Sequence, residues 1–192
     1  AGAFLGAFVA YLLDKYRERT TLKTWLREYS LQWAESQRKF SQSGNSPNIL
    51  LDQVVSQIDS IRKRLLKLNL VGGEIDEITD DELRVIASKI ELVPLPNGIK
   101  PFYEKAVDFL PRKTVRELQR FWECASLHQR AVDLYTDYFN EYVFPLYVQS
   151  SRKFGEKENN VLKYYKVLIE EVQKRQKDLA DTNEKLLEVL DS

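Results

Sequence analysis

Cys124 and His128 are the pair of residues whose types and spacing come nearest to chemistry. They lie four residues apart, so on a helix they share one face. A thiol beside an imidazole is a candidate nucleophile and base, or a contact for a metal or haem. The chain holds one histidine and one cysteine, and no third catalytic partner stands near them. The same spacing fits two polar residues in a helix core, and we predict packing rather than catalysis there.

Other signatures of chemistry are missing from the sequence. It has no glycine-rich nucleotide loop, no metalloprotease motif and no serine-hydrolase motif. One histidine cannot supply the paired Glu-x-x-His motifs of a di-iron bundle. The 29 basic side chains balance 29 acidic ones, whereas nucleic-acid binding usually needs a basic excess. We therefore predict a protein that is not an enzyme, uses no cofactor or metal, and does not bind nucleic acid.

The elements that carry these residues are helices, because apolar residues recur at spacings of three and four. Thr79 and Glu82 match a capping box and predict the start of a short helix. A stripe in the segment after residue 48 consists of Leu51, Val54, Ile58, Ile61, Leu65 and Leu68. Long helices with short connections predict an all-α, elongated antiparallel bundle.

Two longer stripes occupy the second half of the chain. The first consists of Phe121, Ala125, His128, Val132, Tyr135, Phe139, Tyr142 and Leu146. Pro145 should kink it, because proline has no N–H for the carbonyl of Glu141. Tyr138 and Phe144 lie off this stripe, so they are either buried on a second face or part of a partner surface. The last stripe, interrupted by Arg175 and Thr182, consists of Val161, Tyr165, Leu168, Val172, Leu179 and Leu186.

The N-terminal stretch AGAFLGAFVAYLLDKYRERT raises the question of a membrane. No break signal occurs before about residue 40, which predicts one continuous helix. From Leu22 onward it is amphipathic, with one face formed by Leu22, Leu26, Tyr29, Trp33 and Phe40. Before Asp14 it is apolar on every side, which indicates full burial or lipid. Residues 1–13 rise roughly 20 Å, less than the ~30 Å hydrocarbon core of a bilayer. We expect them to be the C-terminal part of a transmembrane helix that begins before Ala1.

Two patterns around this segment favour the membrane. Gly2, Gly6 and Ala10 repeat at the four-residue spacing that lets membrane helices pack closely. Positive charge directly after a span marks its cytoplasmic end and contacts lipid headgroups. These basic residues are Lys15, Arg17, Arg19, Lys23 and Arg27.

These observations lead to one prediction of function. Residues 1–13 belong to a single transmembrane helix, residues 14–41 to a juxtamembrane amphipathic helix, and residues 48–192 to a cytoplasmic helical bundle. The protein is a membrane-anchored interaction or assembly protein, as a single-pass sensor, an effector or an accessory subunit. Its partners are the lipid bilayer and either a second copy or another membrane protein. The alternatives are a soluble oligomeric scaffold with residues 1–13 in its interface, an in-plane interfacial helix and, least favoured, a ligand-binding or enzymatic bundle around Cys124 and His128.

Overall fold

The chain folds almost entirely into helices. The structure, a computed structural model, describes residues 2–42, 46–69, 78–88, 90–92, 100–148 and 154–192. Of these residues 92% are helical and none forms a strand, which confirms the predicted all-α class. The elements are α1 (Gly2–Gln42), α2 (Pro47–Asn69), α3 (Asp80–Ile86), α4 (Lys100–Phe109), α5 (Arg112–Tyr138), a π-helical turn (Phe139–Val143), α6 (Phe144–Val148) and α7 (Glu156–Asp191).

The helices form two compact units, each with its own apolar core. Unit 1 comprises Ala1–Arg38, Pro94–Ser126 and Lys177–Ser192, and unit 2 comprises Lys39–Val93 and Leu127–Gln176. Parts of α5 and α7 belong to each unit. The core of unit 1 includes Leu22, Leu26, Trp33, Leu118, Phe121, Leu179 and Leu186. The core of unit 2 includes Leu51, Ile58, Ile61, Tyr135, Leu162, Tyr165 and Ile169.

In unit 1, α1 packs antiparallel to the end of α7. The Nδ2 atom of Asn183 donates a hydrogen bond to the carbonyl oxygen of Ser30 at 3.1 Å, and Arg27 forms an ion pair with Asp191. Residue numbers rise along α1 as they fall along α7, which gives the antiparallel order. The predicted face of α1 is confirmed, because Leu22, Leu26, Tyr29 and Trp33 are all buried; the side chain of Phe40 lies outside the described residues.

In unit 2, α2 packs antiparallel to the first half of α7. The polar pairs that join them are Asp52 with Gln173, Asp59 with Lys166, and Arg62 with Asn159. Five members of the predicted α2 stripe, from Leu51 to Leu65, are buried, and the Leu68 side chain lies outside the described residues. The capping box at α3 is confirmed, since Thr79 Oγ1 accepts from the Glu82 N–H and the Glu82 carboxylate accepts from the Thr79 N–H.

Five of the six residues in the predicted α7 stripe are buried, from Tyr165 to Leu186, and Val161 is half-buried. Arg175 and Thr182 are only half-buried, and Gln176 and Asn183 take the polar positions inside. The buried residues step by three and four through Leu162, Tyr165, Ile169, Val172, Gln176, Leu179, Asn183, Leu186 and Leu190. This is a heptad seam, and a buried amide in such a seam fixes the register of the packed helices at some expense of stability.

A π-helical turn interrupts the helix just before Pro145. The N–H of Phe144 bonds to the carbonyl of Phe139, five residues back, which adds one residue to the turn. Proline lacks the N–H that a regular helix would direct at Glu141, so the interruption falls where Pro145 predicts one. The added residue rotates the end of the helix, so Val143 is fully buried and Tyr142 is 43% exposed. The prediction that Tyr142 belongs to the core stripe is therefore wrong.

Polar substitutions at Val143 and Tyr142 test this register. Val143→Asn buries an amide without a partner, and we expect it to lower the free energy of unfolding by about 2–3 kcal/mol. Tyr142→Asn removes an exposed ring that stacks on Tyr138 at 4.7 Å, and we expect a loss below about 1 kcal/mol. Chemical denaturation of both variants measures the difference. A regular helix through Pro145 would give the opposite order.

Candidate functional site

The first half of α1 stands clear of the core of unit 1. Every residue from 7 to 21 is exposed, and burial on one face begins at Leu22. The large apolar side chains in this stretch are between 48% and 68% exposed, and they are Phe8, Val9, Tyr11, Leu12, Leu13 and Tyr16. A run of neighbouring exposed apolar side chains indicates a surface that a membrane or another molecule covers.

These apolar side chains do not form a single stripe. At about 100° per residue they cover roughly 200° of the helix circumference. The remaining side carries small residues, among them Ala7 and Ala10, which are also exposed. Gly2, Gly6 and Ala10 all lie within α1, so their four-residue spacing places them along one side of the helix. On the same helical wheel Ala7 and Ala10 fall outside the apolar arc, Gly6 falls at its edge, and Gly2 falls beside Leu13 within it.

The apolar segment is short, and Asp14 ends it. Among the described ranges, no helix combines the length and the apolar character needed to cross a bilayer. The described residues therefore contain no complete transmembrane span, and the predicted transmembrane helix is not supported by them. Residues 2–13 rise about 17 Å at 1.5 Å per residue, close to half of a ~30 Å hydrocarbon core.

The predicted basic residues fall into two groups. Lys15, Arg17 and Arg19 are exposed, and the described residues provide no ion pair for any of them. The Lys15 ammonium lies 5.5 Å from the centre of the Tyr11 ring, in a cation–π contact. Lys23 is half-buried, and Arg27 is already paired with Asp191. Of these five described cations, the three nearest the apolar segment are therefore the best placed to meet an external anion.

A groove opens between α1 and α4 directly after these cations. Ala106 of α4 and Leu110, which directly follows the helix, are buried in unit 1, and Lys105 and Phe109 are the α4 residues that line the groove. The cavity volume is about 450 Å³, within the range of small-molecule sites. Its lining includes Arg17, Glu18, Thr21, Trp25, Lys105 and Phe109. The Trp25 ring is held in place by stacking on Tyr29, with 5.5 Å between the ring centres.

The sequence indicates only half of this groove. Arg17, Thr21 and Trp25 recur at four-residue spacing, which places them in one row of a helix. Lys105 and Phe109 have the same spacing on α4. Nothing in the sequence indicates that the two rows meet, because that contact depends on how unit 1 packs.

The structure places Cys124 and His128 in helix α5, but in different units. Cys124 is half-buried, and its sulfur accepts a hydrogen bond from the Thr182 hydroxyl at 3.4 Å. His128 is 3% exposed, and neither ring nitrogen has a hydrogen-bond partner among the described residues. Burial lowers the pKa of His128, so the imidazole is neutral at pH 7. The described residues contain no group of three metal-ligating side chains that could hold an ion.

Comparison with known proteins gives no family for this chain. Neither its sequence nor its structure matches a protein-family model, a curated protein or a solved structure.

His128 predicts a pH-dependent stability. The unfolded chain binds a proton at this histidine near pH 6.5, whereas burial lowers the pKa in the folded chain. At a pH between the pKa of the unfolded chain and the lower pKa of the folded chain, the unfolded state binds more protons at this histidine. The free energy of unfolding therefore falls as the pH drops below about 6.5, by at most about 1.4 kcal/mol per pH unit. Because the chain has one histidine, His128→Leu should flatten the profile. Denaturation between about pH 7.5 and 5.5 measures it, and an equal slope in both proteins would refute this assignment.

Proposed function

We propose that this protein is a membrane-anchored helical interaction or assembly protein. Residues 2–13 of α1 enter the bilayer, and residues 14–192 form helical units on the cytoplasmic side. The observation that carries the proposal is the exposed apolar segment of α1, followed at once by cations that have no ion pair among the described residues. The helix that holds this segment is also built into the core of unit 1, so the anchor and unit 1 move as one piece.

The distribution of apolar side chains favours lipid over a single protein surface. A protein partner that packs on one side of a helix covers an apolar stripe of about 100° or slightly more. The large apolar residues of α1 cover roughly twice that arc. Lipid surrounds a helix on every side and buries each of these side chains, at a gain of about 1.5–3 kcal/mol for a complete burial.

The order of apolar residues and cations sets the orientation. Lys15, Arg17 and Arg19 follow the apolar segment and are exposed. Cytoplasmic flanks of membrane segments carry an excess of lysine and arginine, and anionic lipid attracts each such cation by about 1 kcal/mol. The three cations therefore support a cytoplasmic position for the helical units.

The row of small residues along α1 supports association within the bilayer. Gly2, Gly6 and Ala10 lie along one side of α1, where two helix backbones can approach each other closely. The partner is a second copy of the chain or another membrane protein. Association of this kind fits a single-pass sensor, an effector or an accessory subunit of a membrane complex.

Vesicle flotation of a triple variant tests the anchor. Phe8→Ser, Leu12→Ser and Leu13→Ser together should reduce recovery with phosphatidylcholine vesicles at least tenfold, because each change removes apolar area from the hydrocarbon. The matched control changes three residues of similar exposure in unit 2, namely Leu127, Leu134 and Val167, to serine. It should float like the unchanged chain. Equal flotation of both variants would contradict the anchor. If the unchanged chain forms an oligomer without vesicles, and only the first triple variant loses that oligomer, the result would favour the soluble scaffold instead.

Gly6→Ile tests the packing side. A β-branched side chain at Gly6 separates the two backbones, so we expect a several-fold loss of cross-linked oligomer in detergent micelles. Phe8→Ile is the control, because residues 6 and 8 lie on nearly opposite sides of a helix. If Gly6→Ile cross-links as efficiently as Phe8→Ile, this side does not mediate association.

A further inference from the structure

We propose that the groove between α1 and α4 binds the headgroup of an acidic phospholipid whose headgroup carries hydroxyls, such as phosphatidylglycerol. This inference rests on the proposed membrane attachment and names the lipid class that the site selects. It assigns a specific role to Lys105 and Phe109 of α4, which lie about 90 residues from the anchor in sequence.

The charges at the groove fit one phosphodiester. Arg17 and Lys105 both line it, and neither has an ion pair among the described residues. Two cations at one site attract an anion, and a guanidinium matches phosphate oxygens with two parallel hydrogen bonds. Glu18 also lines the groove, which leaves a net charge of one positive unit. That balance favours a singly charged phosphodiester over a headgroup with several negative charges.

The position of Arg17 along α1 matches the depth of lipid phosphates. Arg17 lies four residues beyond Leu13, the last apolar residue before Asp14, and therefore about 6 Å further along the helix axis. A bilayer has about 5–8 Å of headgroup region outside each face of its hydrocarbon core. With residues 2–13 in the hydrocarbon, the Arg17 end of the groove lies at the level of the phosphates, and the Trp25 end lies further towards water.

The rest of the lining suits a hydroxylated headgroup. Glu18 and Thr21 supply a hydrogen-bond acceptor and a hydroxyl beside the cations. Phe109 supplies aromatic surface one helical turn from Lys105, and Trp25, whose ring stacks on Tyr29, lines the end of the groove about 12 Å beyond Arg17. A choline headgroup would bring its own positive charge towards Arg17 and Lys105. The cavity of about 450 Å³ holds such a headgroup and leaves the acyl chains in the bilayer.

The test measures binding of the full chain to three kinds of vesicle. These are phosphatidylcholine alone, and phosphatidylcholine with one fifth of either phosphatidylglycerol or phosphatidylserine, so that the last two have equal surface charge. We expect the unchanged chain to prefer phosphatidylglycerol to phosphatidylserine about fivefold. Lys105→Gln should abolish that preference and retain binding to phosphatidylcholine alone. Arg19→Gln removes an exposed cation at a similar depth outside the groove, and it should weaken binding to both acidic vesicles equally and leave the preference intact.

A fourth probe separates the groove from the anchor. Dihexanoyl phosphatidylglycerol, used below its micelle concentration, reaches the groove without any bilayer and should perturb the amide signals of residues 105–109. Binding to all vesicles without a preference for phosphatidylglycerol, or equal effects of Lys105→Gln and Arg19→Gln, would overturn the groove and leave the anchor standing. Saturable binding of the short lipid, lost in Lys105→Gln, combined with no vesicle binding, would uphold the groove and overturn the anchor.

Discussion

The hydrogen bond from Asn183 to the carbonyl of Ser30 is the contact on which the arrangement of unit 1 depends. Both residues are buried, at 2% and 0% exposure, and a buried amide that loses its partner costs about 1–3 kcal/mol. A shift of α1 by one residue along α7 would remove this partner and turn Leu26 out of the core. Because α1 runs unbroken from Gly2 to Gln42, the rotation fixed at Ser30 also decides which side chains face α4 and which stand clear.

The two halves of α1 therefore lie in different surroundings, one packed in the core of unit 1 and the other exposed. Around Ser30 its stability comes from tertiary packing, which supplies most helix stability in water. Residues 7–21 are all exposed, although Arg17, Glu18 and Thr21 line the groove with α4, and an isolated helix of that length is marginal in water. The packed half of α1 nucleates the rest, and the proposed lipid environment would also remove the water that competes for backbone hydrogen bonds. An exposed apolar segment in continuous helix is therefore physically consistent with a lipid environment.

The sequence predicted the helices well and their rotations less well. The α2 stripe and the buried face of α1 followed from spacing alone, since each has one apolar row. In α7 both Leu168 and Ile169 are buried, whereas one heptad further on Gln176 is buried and Arg175 is only half-buried. Spacing does not distinguish these two polar residues, and only packing selects Gln176. At Pro145 the sequence indicated an interruption but not the extra residue of the π-helical turn. The groove lay beyond prediction altogether, because it joins rows on α1 and α4 that no local pattern connects.

The rotation of α1 also determines which of its side chains line the groove with α4, and so connects the groove to the packing of unit 1. Arg17 on α1 and Lys105 on α4 line the same cavity, with Glu18 beside them. A phosphate bound there, as proposed above, would attract both cations, and anything that binds only the folded chain stabilises it. Ala106 and Leu110 lie in the core that also holds Trp33 and Leu186, so a lipid bound at the groove would stabilise the packing of that core. On the proposed function, membrane binding and the folding stability of unit 1 would then be thermodynamically linked.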